Sequence, residues 1–170
     1  AIDPLAPATL YCGVAGVRLR WPNDIMVGSK KLGGLLLEQA GPVTLVVGVG
    51  LNIHNQPWVQ EPELARCATR LVDCDPEMLD EPQLTSLVLD SIRRAHSLIQ
   101  HQGFGSLYPE VNSCWSEDYR NVELEMSNTR VRGKFEGVDE RGALLLREAT
   151  GQLCAYSASR VDRMRELDAI

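Results

Sequence analysis

Residues 19 to 39, LRWPNDIMVGSKKLGGLLLEQ, interrupt two apolar runs first with Asn23-Asp24 and then with Lys30-Lys31 and Gly33-Gly34. The preceding alternation in VRLRW, residues 17 to 21, reads as a strand with one solvated face, and Pro22 disfavours its simple continuation. DIMV resumes an apolar strand, GSK turns, and LGGLLLE returns, so residues 17 to 38 predict neighbouring antiparallel strands. A plain hairpin needs turn residues. It has no need of a Trp-Pro-Asn-Asp entry, a paired lysine and two glycines opening a buried strand, and this surplus points to a bound ligand.

Working outward, PVTLVVGVGLNI, residues 42 to 53, is nearly all apolar and β-branched, the pattern of a strand covered on both faces at the centre of a sheet. Residues 54 to 81 are richer in Pro, Asp and Glu, with a short helix expected around 61 to 72. From Pro82 the spacing of Leu84, Leu87, Val88, Ile92, Ala95, Leu98 and Ile99 predicts one long amphipathic helix ended by Gly103. A second helix over about 105 to 115 turns Leu107, Val111, Cys114 and Trp115 inward. Beyond residue 117 the pattern changes to short strands, VELEM, RVRGKFEGV, ALLLREA and QLCAYSAS, separated by turns at SNT, DERG and TG. In RVRGKFEGV, Val131 and Phe135 face inward while Arg130, Arg132 and Lys134 face solvent. This predicts a first domain over residues 1–117 and a small β-barrel-like module over 118–170.

With 170 residues, 44% hydrophobic and 24% charged, the chain can bury a core. A net charge of -6 argues against a surface devoted to DNA, RNA or anionic lipid. The 5 cysteines are scattered with no CxxC pair, and with 3 histidines they form neither a zinc pattern nor a disulfide framework. Reduced thiols and a cytoplasmic setting are the expectation. The opening AIDPLAPATLYCG has no signal-peptide organisation, and no apolar run approaches a membrane span.

Lys31 stands beside a turn and just before Leu32-Gly33-Gly34, where an ammonium can reach an anion that lies close to glycine backbone; it can equally be a solvated strand-end charge. Lys30 suits the second role. Asp24 can serve a metal or a phosphate-binding group, and Asn23-Asp24 is also a common turn dipeptide. Trp21 can stack on a ring or fill the core, and Arg20 can attract an anion or line a wet strand face. Gly48 and Gly50, followed by Asn52, let a ligand approach the main chain, although GVG is no nucleotide fingerprint.

In combination these segments resemble one family. RWPNDIMVGSKKLGGLLLE is similar to the biotin protein ligase pattern Lys-Trp-Pro-Asn-Asp followed by Lys-[Leu/Ile]-[Ala/Gly]-Gly-[Ile/Leu]-Leu-x-Glu; VVGVGLNIHNQP resembles the family's next strand, and GKFEGVDERGALLL its small C-terminal domain. The resemblance implies an α+β fold: a mixed or antiparallel sheet with helices on one side, class II synthetase-like and incomplete at its N-terminus, followed by a small SH3-like β-barrel. It implies an ATP-dependent biotin–protein ligase that forms biotinyl-5'-adenylate and passes biotin to a lysine of a carrier protein, with biotin, ATP and Mg²⁺ as ligands. Lys31 and Asp24 are then the catalytic residues. Arg20, Trp21, Asn23, Gly33, Gly34, Leu36, Gly50 and Asn52 are the expected contacts of biotin and nucleotide, and no residue is assigned as a metal ligand.

Three departures qualify the resemblance. Arg20 stands where the family usually has Lys; the Gly-Glu pair expected before the last strand is replaced by CAYSAS; and no Gly-Arg-Gly-x-x-Gly-Arg segment precedes LRWPND in this sequence. The partner set that follows is a biotin carboxyl carrier domain as acceptor, with a second chain or an N-terminal segment completing the site, or a homodimer; DNA and membrane are not expected. The alternatives are a lipoate–protein ligase, which shares acyl-adenylate chemistry, and a noncatalytic subunit or inactive homologue.

Overall fold

The first sheet follows directly from the opening motif. In the computed structural model, which describes residues 16–75, 80–115, 121–127 and 129–167, strands β1 (Val17–Arg20), β2 (Asp24–Val27), β3 (Lys30–Gly41) and β4 (Thr44–Leu51) form an antiparallel sheet in that order. The opening segment with Cys12 and the expected boundary at 117–118 lie outside the described residues. The chain divides into two compact units, the first ending at Arg94 and the second starting at Ala95.

One face of the first sheet carries the core of that unit. Val17, Leu32, Leu71 and Leu84 are buried together, with Ile25, Val27, Leu51, Ile53 and Cys74 packed around them. Leu71 opens α1 (Leu71–Cys74) and Leu84 lies in the first turn of α2 (Glu81–Gln102), so helices cover this side as expected. Leu84, Leu87, Val88, Ile92, Ala95 and Leu98 form the less exposed stripe of α2, while Ile99 is exposed. Gly103, at φ 75, ends the helix in the left-handed conformation that glycine adopts without strain. In place of one short helix over 61–72, the chain forms a 3-10 turn at Pro62–Arg66 and then α1. No helix among the described residues is long and apolar enough to cross a membrane.

β4 departs from expectation. Among the described residues it is the last strand of its sheet and pairs with β3, and its apolar residues are not covered on both faces: Leu45 and Val46 are about half exposed, as are Leu36 and Leu37 on the neighbouring β3. An unbroken apolar run states what a strand is able to bury, whereas its place in the sheet decides what it does bury.

The second unit contains α3 (Tyr108–Ser113) and strands β5 (Asn121–Met126), β6 (Thr129–Val138), β7 (Leu144–Glu148), β8 (Leu153–Tyr156) and β9 (Arg163–Glu166), in the order β8-β7-β6-β5-β9. The expected SH3-like β-barrel is not formed. β8 and β9 end the sheet at opposite edges and do not pair with each other, so the sheet stays open. Strand number and turn spacing look alike in a curled open sheet and a closed barrel; closure is set by tilt and edge pairing, which local patterning does not record.

One face of this sheet buries Val122, Leu124, Phe135, Val138, Leu144 and Leu146. On β5 the carboxylates of Glu123 and Glu125 alternate with those core residues. Arg132 donates to Glu123 at 2.6 Å, and Arg130 donates to Glu125 at 3.1 Å. The Arg132 hydrogen bond, with the neighbouring guanidinium charges, holds the Glu123 carboxyl below the usual glutamate range. Its stabilising contribution is present above the ordinary glutamate pKa and is lost as pH falls through the depressed folded value.

Asn112 ties α3 to β6. It accepts from the Val138 N–H at 2.8 Å and donates to the Val138 carbonyl at 3.0 Å, while the Trp115 indole N–H donates to its Oδ1 at 2.8 Å. Gly137, at φ +111, lets the side chain approach; a Cβ there would lie 2.5 Å from Asn112 Oδ1. Because Val138 is buried, Asn112→Ala leaves its main-chain groups without partners. A loss of about 3 kcal/mol is expected in urea titration; a change below about 1 kcal/mol would show that water replaces the amide.

Candidate functional site

The face of the first sheet opposite its helical core is built from residues in one ladder row. Arg20 pairs with Asp24 across β1 and β2, Asp24 with Gly34 across β2 and β3, and Gly34 with Gly50 across β3 and β4. Paired residues share a face, so a cation, a carboxylate and two bare glycine positions lie side by side. The next position on that face places Leu36 opposite Gly48.

Lys31 reaches this face through a β-bulge. Ile25 pairs with Gly33 but Met26 pairs with Lys31, leaving Leu32 as the extra residue on β3. In a regular strand residues 31 and 34 point to opposite faces. The extra residue shifts the alternation by one, sending Leu32 into the core and Lys31 to the side of Gly34. The Lys31 ammonium accordingly lies 3.5 Å from where a Cβ on Gly34 would stand, and 2.5 Å from Asp24 Oδ1.

Asp24 is held from two sides. The Arg20 guanidinium closes on Oδ2 through Nη2 at 2.6 Å and Nε at 3.1 Å, while Lys31 takes Oδ1. The carboxylate is fixed by a planar fork that a lysine at position 20 could not provide. The Lys31 side chain remains 45% exposed, so its ammonium is available to an arriving anion.

The other expected site residues take definite places. Asn23 donates from Nδ2 to the Leu35 carbonyl at 2.6 Å and accepts from the Leu35 N–H at 2.9 Å, fastening the turn that precedes Asp24. Trp21, whose peptide bond to Pro22 is cis, is buried and so supports the turn from within. Gly33 points to the opposite face, against Gly50 O and Leu51, and Leu36 is exposed. Asn52 directs its side chain to Thr69 and Asn55. In the CAYSAS segment, the Tyr156 hydroxyl donates to Glu148 at 2.5 Å within its own sheet. Sequence reasoning did not single out residues 67–69. Cys67 O accepts from the Lys31 N–H at 2.7 Å, and Thr69 N–H donates to Lys31 O at 2.9 Å, so this strap fixes the lysine's main chain. Its only sequence signal is the apolar Ala68, which is buried.

The site has a cationic end, a floor of bare backbone at Gly34, Gly48 and Gly50, and an apolar end at Leu36. It suits an elongated ligand with an acidic group and an apolar body. A magnesium ion held by protein carboxylates does not fit, because both Asp24 oxygens are engaged by cations. Among the described residues, no group of three or more His, Cys, Asp or Glu is placed to hold a metal.

Comparison with solved structures identifies the scaffold. A crystal structure of a biotin protein ligase from Aquifex aeolicus superposes with a TM-score of 0.80 at 24% identity, covering 96% of this chain and 71% of that one. The fold is thus that of a biotin protein ligase. The family model described as the biotin protein ligase C terminal domain matches residues 120–164. The bifunctional ligase/repressor BirA of Bacillus subtilis is 28% identical over 155 residues, which cover 85% of this chain and 46% of the relative. The biotin–[acetyl-CoA-carboxylase] ligase of Mycobacterium tuberculosis is 29% identical over 174 residues, or 96% of this chain and 59% of that protein. In its C-terminal segment and over most of its length, this chain is similar to biotin protein ligases. It spans roughly half the length of these curated relatives, 46% and 59% respectively.

Proposed function

We propose that this chain carries the catalytic sheet of a biotin protein ligase, which joins biotin to ATP as biotinyl-5'-adenylate, releases pyrophosphate, and transfers the biotinyl group to a lysine of a carrier domain. The observation that carries this reading is the Lys31 ammonium set at the end of the glycine floor, on the same face as Gly34 and beside Asp24. In the first step a biotin carboxylate oxygen attacks the α-phosphorus and pyrophosphate leaves. Two anions must approach, and a preorganised ammonium lowers their mutual repulsion. The glycine floor lets the ligand's bicyclic ring system lie close to the main chain, and Leu36 borders its apolar end. Magnesium belongs in this scheme with the ATP phosphates rather than with a protein cage. In the second step the carrier lysine is itself the nucleophile and attacks the activated carbonyl, displacing AMP; orientation supplies most of the rate.

The acceptor follows from that chemistry: a carrier domain presenting an exposed lysine. A cytoplasmic setting is the reading that the scattered cysteines, without any CxxC pair in the sequence, support. Lipoate and biotin share a carboxylate on an alkyl chain and differ in their rings. Isothermal titration with biotin, ATP and Mg²⁺, and in parallel with lipoate replacing biotin, separates the readings. Binding restricted to biotin is expected. Binding restricted to lipoate would transfer the assignment to the other acid, and binding of neither would overturn it for this chain.

A further inference from the structure

We propose that Asn52 is a positioning residue for Lys31, acting through the strap at residues 67–69 rather than by touching a ligand. The inference deepens the reading of Lys31 given above and rests on it for its catalytic consequence.

Asn52 lies just past the end of β4, and each of its polar groups is engaged within the fold. Its N–H donates to the carbonyl of Leu32, the residue that follows Lys31, at 2.9 Å. Its carbonyl accepts from the Leu71 N–H at 2.7 Å. Its Nδ2 donates to the Thr69 carbonyl at 3.1 Å, and its Oδ1 accepts from Asn55 Nδ2 at 3.0 Å. One residue therefore bonds the strand beside Lys31 and two points of the chain that runs past it.

That chain is what holds the lysine's backbone. Cys67 O and Thr69 N clasp the N–H and carbonyl of Lys31, with Ala68 bridged to it in parallel. Thr69 faces Lys31 through its N–H and Asn52 through its carbonyl. The other end of the strap hangs from the 3-10 turn, where Leu64 O accepts from both Cys67 and Ala68. Removing the Asn52 amide frees the end nearer Thr69. The residue type matters because a donor must meet the Thr69 carbonyl. Aspartate at position 52 would present an acceptor to an acceptor, at nearly unchanged size. A displaced Thr69 carries the Lys31 main chain with it, and the ammonium then leaves the 2.5 Å contact with Asp24.

The test has a readout independent of biotin. The folded chain is labelled with a trace of an amine-acylating reagent, and the extents at Lys31 and Lys30 are compared by mass spectrometry. In Asn52→Asp the Lys31 to Lys30 ratio is expected to rise about threefold or more, because an ammonium engaged by a carboxylate is shielded and a released one is not. An unchanged ratio in a folded variant overturns the proposal. Should Asn52→Asp fail to fold, Asn55→Ala removes the bond that orients the amide, together with the Ile53 N–H bond to Asn55 Oδ1, and leaves the Asn52 donor in place; a smaller rise is expected there, and none overturns the proposal. Pyrophosphate release then distinguishes the two levels of inference. Asn52→Asp is expected to lower kcat about tenfold with little change in KM for biotin, and to have no further effect in a Lys31→Ala background. Independent, additive losses overturn positioning through Lys31. A labelling shift in a chain that releases no pyrophosphate with biotin would retain the positioning and reject the ligase reading.

Discussion

Lys31→Ala is expected to lower biotin-dependent pyrophosphate release by about 10²–10³-fold while leaving the fold nearly intact, the size of loss that follows removal of one preorganised charge from a reaction between anions. The two halves of this expectation have separate causes. For stability, the partly exposed ammonium has Asp24 as its ion partner, and Asp24 keeps the Arg20 fork when Lys31 is gone; such a pair contributes at most about 1 kcal/mol. For catalysis, no other lysine shares its position, since Lys30 is exposed and stands across from Val27 rather than beside Asp24. Lys31→Arg is expected to restore little: a guanidinium would compete with Arg20 for the same carboxylate in place of meeting the ligand as a point charge. Pyrophosphate release measured beside thermal unfolding decides the matter. Near-normal release with unchanged unfolding would remove Lys31 from the mechanism.

The residues that matter most here were legible because they break local rules. Paired glycines at the start of a buried strand cost conformational entropy, and a lysine beside them costs solvation, so each signals a ligand more readily than a fold. What could not be read was how those residues share a face. Strict alternation places Lys31 and Gly34 on opposite sides of β3; the extra residue at Leu32 brings them together, and no residue in KKLGG announces a bulge. Asn52 was legible as a residue near the site, but its side-chain partners at Thr69 and Asn55 depend on how the following loop returns.

The small C-terminal sheet shows the same division. Core and solvent positions on β6 follow its alternation, with Phe135 buried and Arg132 and Lys134 exposed. The strand RMRE, residues 163–166, escaped notice because charged residues alternate there with only one strongly apolar side chain, Met164, and its edge position asks for no more. Open sheet and closed barrel differ in one missing pairing, between β8 and β9, which is a long-range property. The apolar hairpin end at Leu36, Leu37, Leu45 and Val46 was read correctly as hydrophobic and wrongly as enclosed.

Gly33 and Gly34 are identical letters with opposite expected responses to the same mutation. A Cβ on Gly33 would lie 2.3 Å from Gly50 O and 2.7 Å from Leu51 Cδ2, so alanine must push β3 and β4 apart at a paired position. Backbone cannot swing away as a side-chain tip can, and Gly33→Ala is expected to cost about 3 kcal/mol, a fall of roughly 10 °C in Tm. A Cβ on Gly34 instead meets Asn23 O at 3.3 Å, Lys31 Nζ at 3.5 Å and Asp24 Oδ1 at 3.6 Å, contacts that a small adjustment relieves. Gly34→Ala should therefore change stability by less than about 1 kcal/mol. Its methyl group, however, stands on the glycine floor beside the ammonium, where a ligand must lie against bare backbone. Biotin affinity is expected to fall at least about tenfold, close to 1.4 kcal/mol. Thermal unfolding and biotin titration of both variants check the contrast. A Gly34→Ala chain that binds biotin normally would move the ligand off this face, whereas a Gly33→Ala chain of normal Tm would mean that the bulged strands open at little cost.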